Sequence, residues 1–279
     1  MTMRRPKRTP VTLLAAFVAI CATAPVRAQS TARAAAGKSA KTWVGQAARI
    51  EEELKTAEVV RIEDIGTGVT HPRRAYLKPG GIVDSLTWKV LPPAYRHGYW
   101  ESYKSEIAAY ELDKLLTLNM VPPAVEREID GSIGAAIMWV IPTTSVKQMG
   151  GKVPTDRIGG EEIRKMQLFD DFVGNPDRNA GNILVDGVNE VILIDHSRAF
   201  VDNKELPVKF VRVDADLWAA IQALTVDALR THLGPLIGDR AVNAMLERRE
   251  RMREAIDSLV AKNGRARVII QTHPRRVSH

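Results

Sequence analysis

The stretch DFVGNPDRNAGNILVDGVNEVILIDHSRAF (residues 171–200) carries the densest chemistry in the chain. It opens as a loop at Gly174, Asn175 and Pro176 and passes into an apolar run, Ile183-Leu184-Val185. Asp186-Gly187 then signals a turn, and a second run, Val191-Ile192-Leu193-Ile194, follows. Two short strands joined by a tight turn bring their outer ends together, with Asp177 and Asn182 on one side and Asp195 on the other. Mg²⁺ takes hard oxygen ligands, usually one or two from the protein, and leaves the rest to phosphate and water. Asn182 and Asp195 suit that role. Asp177 can orient and deprotonate a hydroxyl, which is the division of labour that phosphoryl transfer needs. Taken singly, each of the three is equally at home capping a turn. Their order and spacing point to chemistry.

Outward from this stretch, composition bounds the setting. The chain has 279 residues, 45% of them hydrophobic, enough for one large or two small domains. Its start has the form of an export signal: Arg4, Arg5, Lys7 and Arg8, an apolar run over 11–24, then Val26-Arg27-Ala28 at the cleavage spacing. Pro25 ends the apolar run short of the roughly 20 residues of a membrane span, so cleavage after Ala28 is expected, with an uncleaved anchor as the alternative. Five basic residues leave with the signal, which takes the net charge from +7 to +2 and removes basicity as an argument for nucleic acid. The single cysteine, Cys21, leaves too, so the mature chain has no disulfide. The expected location is secreted or periplasmic.

The central stretch resembles the catalytic and metal-binding loops of atypical kinases: phosphoinositide lipid kinases, HipA-like kinases and the secretory-pathway Golgi casein kinase family. In kinases a catalytic Asp precedes a metal-binding Asn by five positions, and a second Asp follows an apolar strand. Asp177, Asn182 and Asp195 keep that order. No His-Arg precedes Asp177, and His196-Ser197 stands where ordinary protein kinases have Phe-Gly.

Upstream, 43–59 fits an amphipathic helix with Val44, Ala47, Ile50, Leu54 and Ala57 near one face. Short β segments follow at 61–65, 74–78 and 85–91. Gly66 and Gly68 lie between the first two, either as a plain turn or as a loop whose amides approach a phosphate. Lys89 interrupts the apolar strand Leu86-Thr87-Trp88-Lys89-Val90-Leu91, facing water or a site. In kinases a strand lysine pairs with a glutamate on the next helix and holds the α- and β-phosphates. The helix expected over 101–118 offers two partners. On a helical wheel Glu111 borders the apolar face and Glu106 lies nearly opposite, which favours Glu111. The resemblance favours Glu106: EIAAYELDKLLTLNMVPPAV (106–125) is similar to the corresponding helix and turn of the Golgi casein kinase family, which opens on the ion-pair glutamate.

A hairpin is expected at 125–129 and 135–141 about Asp130-Gly131. Its exit places Met138 and Val140 where a kinase hinge meets adenine, and Leu184 completes the expected nucleotide site. Helices are expected at 161–172, 216–224, 226–233 and 239–263. The expected fold is α+β: a two-lobed protein-kinase-like fold with a β-rich lobe (59–142) and a helical lobe (143–264). A leader and helix (29–58) precede it and a basic tail (265–279) follows. The resemblance implies ATP with Mg²⁺ or Mn²⁺, Asp177, Lys89 and Glu106 as catalytic residues, and a hydroxyl-bearing protein, lipid or glycan as acceptor. The rivals are a catalytically silent kinase-like binding or scaffolding module, and the same fold put to nucleotidyl transfer or ligation.

Overall fold

The computed structural model describes residues 37–66 and 71–271. The expected signal, most of the leader, Gly68 and residues 272–279 of the tail lie outside the described residues. Helix α1 (Ala47–Thr56) is followed by strands β1 (Val59–Asp64), β2 (Arg73–Leu77) and β3 (Ser85–Lys89). A small hairpin, β4 (Ala94–Arg96) and β5 (Tyr99–Glu101), then leads into helix α2 (Tyr103–Leu116). Strands β6 (Ala124–Ile129) and β7 (Ser132–Met138) complete an antiparallel five-stranded sheet in the order β1-β2-β3-β7-β6. Asp130 and Gly131, both at positive φ (51° and 72°), close β6 onto β7 with Ile129 opposite Ser132. That is the two-residue turn an Asp-Gly pair favours.

The core of this lobe joins Leu86 and Trp88 of β3, Val125 of β6, and Ala136 and Met138 of β7 to Trp43, Ile50 and Leu54. The helix expected from residue 43 starts only at Ala47, because Gly45 sits at φ 82° and interrupts it. Val44 is consequently exposed, and Trp43, in the turn before the helix, is buried in its stead.

The helical lobe contains β8 (Thr143–Ser145), α3 (Gly160–Val173), β9 (Ile183–Asp186), β10 (Val191–Leu193), β11 (Val213–Asp214) and α4 (Ala215–Ala223). The long α5 (Val226–Asn263), then α6 (Arg265–Val268) and β12 (Ile269–Ile270), close it. Strands β8, β9 and β10 form a second, three-stranded sheet. The two helices expected at 226–233 and 239–263 are both present, and α5 is the pair joined at a kink where Gly238 has a non-helical backbone (φ 77°, ψ 164°). Among the described residues no helix is long and apolar enough to cross a membrane.

Helix α2 lies between the lobes and touches both the β6–β7 strands and helices α4 and α5. Ser102 caps its start by accepting the Lys104 N–H. At its end the buried Asp113 carboxylate accepts the N–H groups of Asn119, Met120 and Val121, which turns the chain toward β6. Because neighbours surround it, α2 is buried on several faces at once, Glu106 and Asp113 included.

Candidate functional site

The site is built where β3, α2 and the ends of the β9–β10 hairpin meet. Lys89 is the last residue of β3, with a side chain 5% exposed. Its ammonium donates to Glu106 Oε1 at 2.6 Å and to Asp195 Oδ1 at 2.8 Å. Glu111 is turned elsewhere and pairs with Lys114 on the same helix at 2.8 Å. The wheel argument for Glu111 assumes one apolar face toward one core, and α2 instead inserts its Glu106 side between the lobes.

Burial works against charge on Lys89, but the two carboxylates outweigh it and hold the ammonium pKa above its usual value. Burial likewise opposes the charge on Asp195. There Lys89, with hydrogen bonds from Lys89 and Ser197, holds the carboxyl well below the usual range. Burial pushes the Glu106 carboxyl up against the pull of Lys89. The cluster has two carboxylates to one ammonium. The Asp195 side chain is 35% exposed against 3% for Glu106, so the cluster's open end is Asp195.

Asp195 adopts a left-handed backbone (φ 60°) just past β10, an uncommon conformation for a non-glycine residue. The turn sends the next residues back toward α2. The His196 N–H donates to Glu106 Oε2 at 2.9 Å, and the Ser102 N–H donates to the Ser197 carbonyl at 3.0 Å. His196 itself is buried with its ring edge-on to Phe169. Burial and the neighbouring Arg178 hold its pKa well below the usual value, so the ring is neutral.

The loop carrying Asp177 is held by Arg178. That guanidinium donates to both Asp170 oxygens, to the carbonyls of Asn182 and Ile194, and to His196 Nε2 at 2.8 Å. An arginine can only donate, so Nε2 accepts and the imidazole proton sits on Nδ1. Arg178 is thus the strut joining α3 to the outer ends of both hairpin strands.

Asp177 remains half-buried at the mouth. Its Oδ2 accepts from Arg198 Nη1 at 3.0 Å, and Arg198 reaches on to Glu101 Oε1 with Nε and Nη2 at 2.9 and 2.8 Å. Neither Arg198 nor Glu101 was expected from the sequence. The two are 97 residues apart, and such a pair leaves no local pattern.

Asn182 spends its Nδ2 on the Asp177 carbonyl at 3.1 Å, which leaves its Oδ1 as an oxygen ligand. On Asp195, Oδ1 takes Lys89 and Ser197 while Oδ2 stays available. No group of three or more His, Cys, Asp or Glu gathers as a metal cage among the described residues. Mg²⁺ and Mn²⁺ bound through phosphate need no such cage, and one amide oxygen with one carboxylate, in a cluster carrying a surplus negative charge, fits them. Met138 and Val140 are buried in the first lobe's core with Ile192, and Leu184 of β9 packs against that core. Gly66 (φ 70°) stands in open space just after β1, and Gly68 lies outside the described residues.

No family model and no curated protein matches the sequence. Solved structures do match by fold. A hydra Fam20 structure with sugar superposes with a TM-score of 0.65 at 16% identity, covering 80% of this chain and 92% of that one. The Golgi casein kinase with Mn/ADP bound gives 0.62 at 14% identity, covering 82% and 80%. Another structure of the Golgi casein kinase gives 0.63 at the same identity and coverage. The chain therefore has an α+β kinase-like fold, and it resembles the Golgi casein kinase family in that fold.

Proposed function

We propose that this chain is an ATP-dependent phosphotransferase that moves a phosphoryl group onto a hydroxyl of a protein, lipid or glycan outside the cytoplasm. The observation that carries the reading is the buried Lys89 ammonium shared between Glu106 and Asp195. A lysine costs several kcal/mol to bury, and two carboxylates holding it where the lobes meet make a fixed phosphate anchor. The Mn and ADP in one structural neighbour support nucleotide and divalent-metal use, and the sugar in another keeps glycans among the acceptors.

In this reading Lys89 holds the α- and β-phosphates and Glu106 fixes Lys89. Asn182 and Asp195 hold a divalent cation, which neutralises phosphate charge when bound. Gly66, just after β1, offers its backbone amide to the phosphates. Met138, Val140 and Leu184 enclose the base. Asp177 orients the acceptor hydroxyl and takes its proton. The expected lobes, 59–142 and 143–264, supply the two walls.

One observation favours a second reading, a nucleotide-binding module without turnover: Asp177 Oδ2 is already engaged by Arg198. One experiment separates the two. With Mg²⁺ or Mn²⁺, nucleotide at about 100 times its Kd should stabilise the wild-type domain by about 2.7 kcal/mol, and Asp195→Ala should lose most of that shift. Asp177→Asn should keep nucleotide affinity within a few-fold but slow transfer from γ-labelled ATP by roughly 10²–10⁴. No stabilisation with either metal would sink both readings. Binding without transfer to any protein, lipid or glycan pool, with Asp177→Asn indistinguishable from wild type, leaves the binding module.

A further inference from the structure

Arg198 sets its guanidinium against Asp177, the base in the reading above. It follows Asp195 by three positions, reaches Asp177 Oδ2 at 3.0 Å, and lies 4.3 Å over the Tyr99 ring. A guanidinium has five N–H donors in a rigid fork. The Nε N–H goes to Glu101, which Nη2 also faces as an ion pair at 2.8 Å, and one N–H of Nη1 goes to Asp177. One donor remains on each terminal nitrogen.

Two other cations of the site, among the described residues, already have a role, Lys89 as the anchor of the α- and β-phosphates in the reading above. Lys89 is shared between Glu106 and Asp195. Arg178, within the Asp177–Asn182 loop, is turned inward onto Asp170 and backbone carbonyls, with a side chain 7% exposed against 16% for Arg198. Glu101 is buried, so its carboxylate holds Arg198 from behind while the Tyr99 ring fixes the fork's plane.

We propose that Arg198 is a catalytic arginine acting in cis, whose two open N–H groups bind the equatorial oxygens of the phosphoryl group as it transfers. This rests on the phosphotransferase reading above. The acceptor oxygen forms a bond to the γ-phosphorus as the bond from that phosphorus to the bridging oxygen breaks. ADP keeps the bridging oxygen's electron pair, the acceptor proton passes to the Asp177 carboxylate, and Arg198 exchanges no proton. A guanidinium pairs with phosphate oxygens in bidentate fashion and stays charged throughout, and an arginine in this position is worth about 10³–10⁵ in rate.

The test needs no knowledge of the acceptor. ADP with Mn²⁺ is titrated into the mature chain with and without aluminium fluoride, which mimics the transferring group. Wild type should bind ADP at least tenfold more tightly with fluoride. Arg198→Met should bind ADP alone within about threefold of wild type and lose the fluoride gain, Arg198→Lys should keep part of it, and added guanidinium ion should restore part of it to Arg198→Met. Glu101→Gln with Arg198→Met removes the buried charge left unpaired, and serves if the single variant does not fold. A fluoride gain in either Met variant equal to that of wild type overturns the proposal. So does a wild type that binds ADP with no fluoride gain, or an equal loss of plain ADP affinity, which would make Arg198 a ground-state contact. A wild type that binds no ADP with either metal brings down the phosphotransferase reading itself.

Discussion

Asp170 and Asp171 are neighbours in the last turn of α3 with opposite surroundings. Asp170 receives the Arg178 guanidinium on both oxygens, whereas Asp171 accepts one backbone N–H, from Val208 at 2.7 Å, and its Oδ2 has no hydrogen-bond partner among the described residues. Burial therefore pushes the Asp171 carboxyl up to about 7 from an ordinary 3.8, against the pull of Arg248. Between those values the folded chain holds a proton that the unfolded chain has released. Stability from this group is thus full below pH 4, falls as pH rises to about 7, and levels off above. Asp171→Asn should flatten that decline in urea unfolding midpoints measured from pH 4 to 8, and an unchanged slope would contradict the assignment. At this scale Lys89 stood out as a charge inside an apolar strand, whereas Asp177, Asn182 and Asp195 stood out only by their order and spacing. Arg198 and Glu101 did not, because a charged side chain reads the same whether it faces water or a partner far along the chain.

Two Asp-Gly pairs that look alike in sequence make different elements. Asp130-Gly131 closes a two-residue turn, but after β9 the chain runs through residues 186–190 before Val191 pairs with Val185. The Asp186 carboxylate is the cause: it accepts the N–H groups of Val188 and Glu190, and of Ala40 from the N-terminal segment, and so widens the loop. The β4–β5 hairpin was not foreseen either. Three-residue strands carry too short an alternation to register, and this turn uses His97 and Gly98 (φ 49° and 83°) rather than Asn-Gly or Asp-Gly. One glycine belongs to the site through its element. A Cβ on Gly134 of β7 would overlap the Lys89 carbonyl oxygen and lie 3.0 Å from its carbon, so β7 can approach β3 only without a side chain there. Gly134→Ala should cost about 1–3 kcal/mol of stability and weaken nucleotide binding by moving Lys89. Thermal unfolding and an ADP titration check this, and wild-type values in both would refute it.

At the scale of the whole molecule the order of elements was the most legible feature. A lysine strand, one helix, a hairpin, an acidic loop and a helical end fold as two lobes meeting at Lys89, Glu106 and Asp195. Less visible was how the N-terminal segment joins both lobes. Trp43 enters the first lobe's core, while Ser39 bonds Glu190 at 2.7 Å and Ala40 bonds Asp186 at 2.9 Å on the β9–β10 loop. A segment so anchored is compatible with removal of what precedes it. Processing after Ala28 predicts a mature chain beginning at Gln29; N-terminal sequencing of protein from its native host checks this, and an intact Met1 in a cytoplasmic fraction would reverse it. The Lys89–Glu106 pair is clamped by contacts wholly within the chain, through the His196 N–H and the bond from Ser102 to Ser197. Among the described residues this clamp is assembled by the fold's own backbone and side chains. Under the proposed phosphotransferase reading its throughput answers to delivery, and a host would govern it as a mill is governed, at the sluice: by where the protein is sent and how much nucleotide reaches it there.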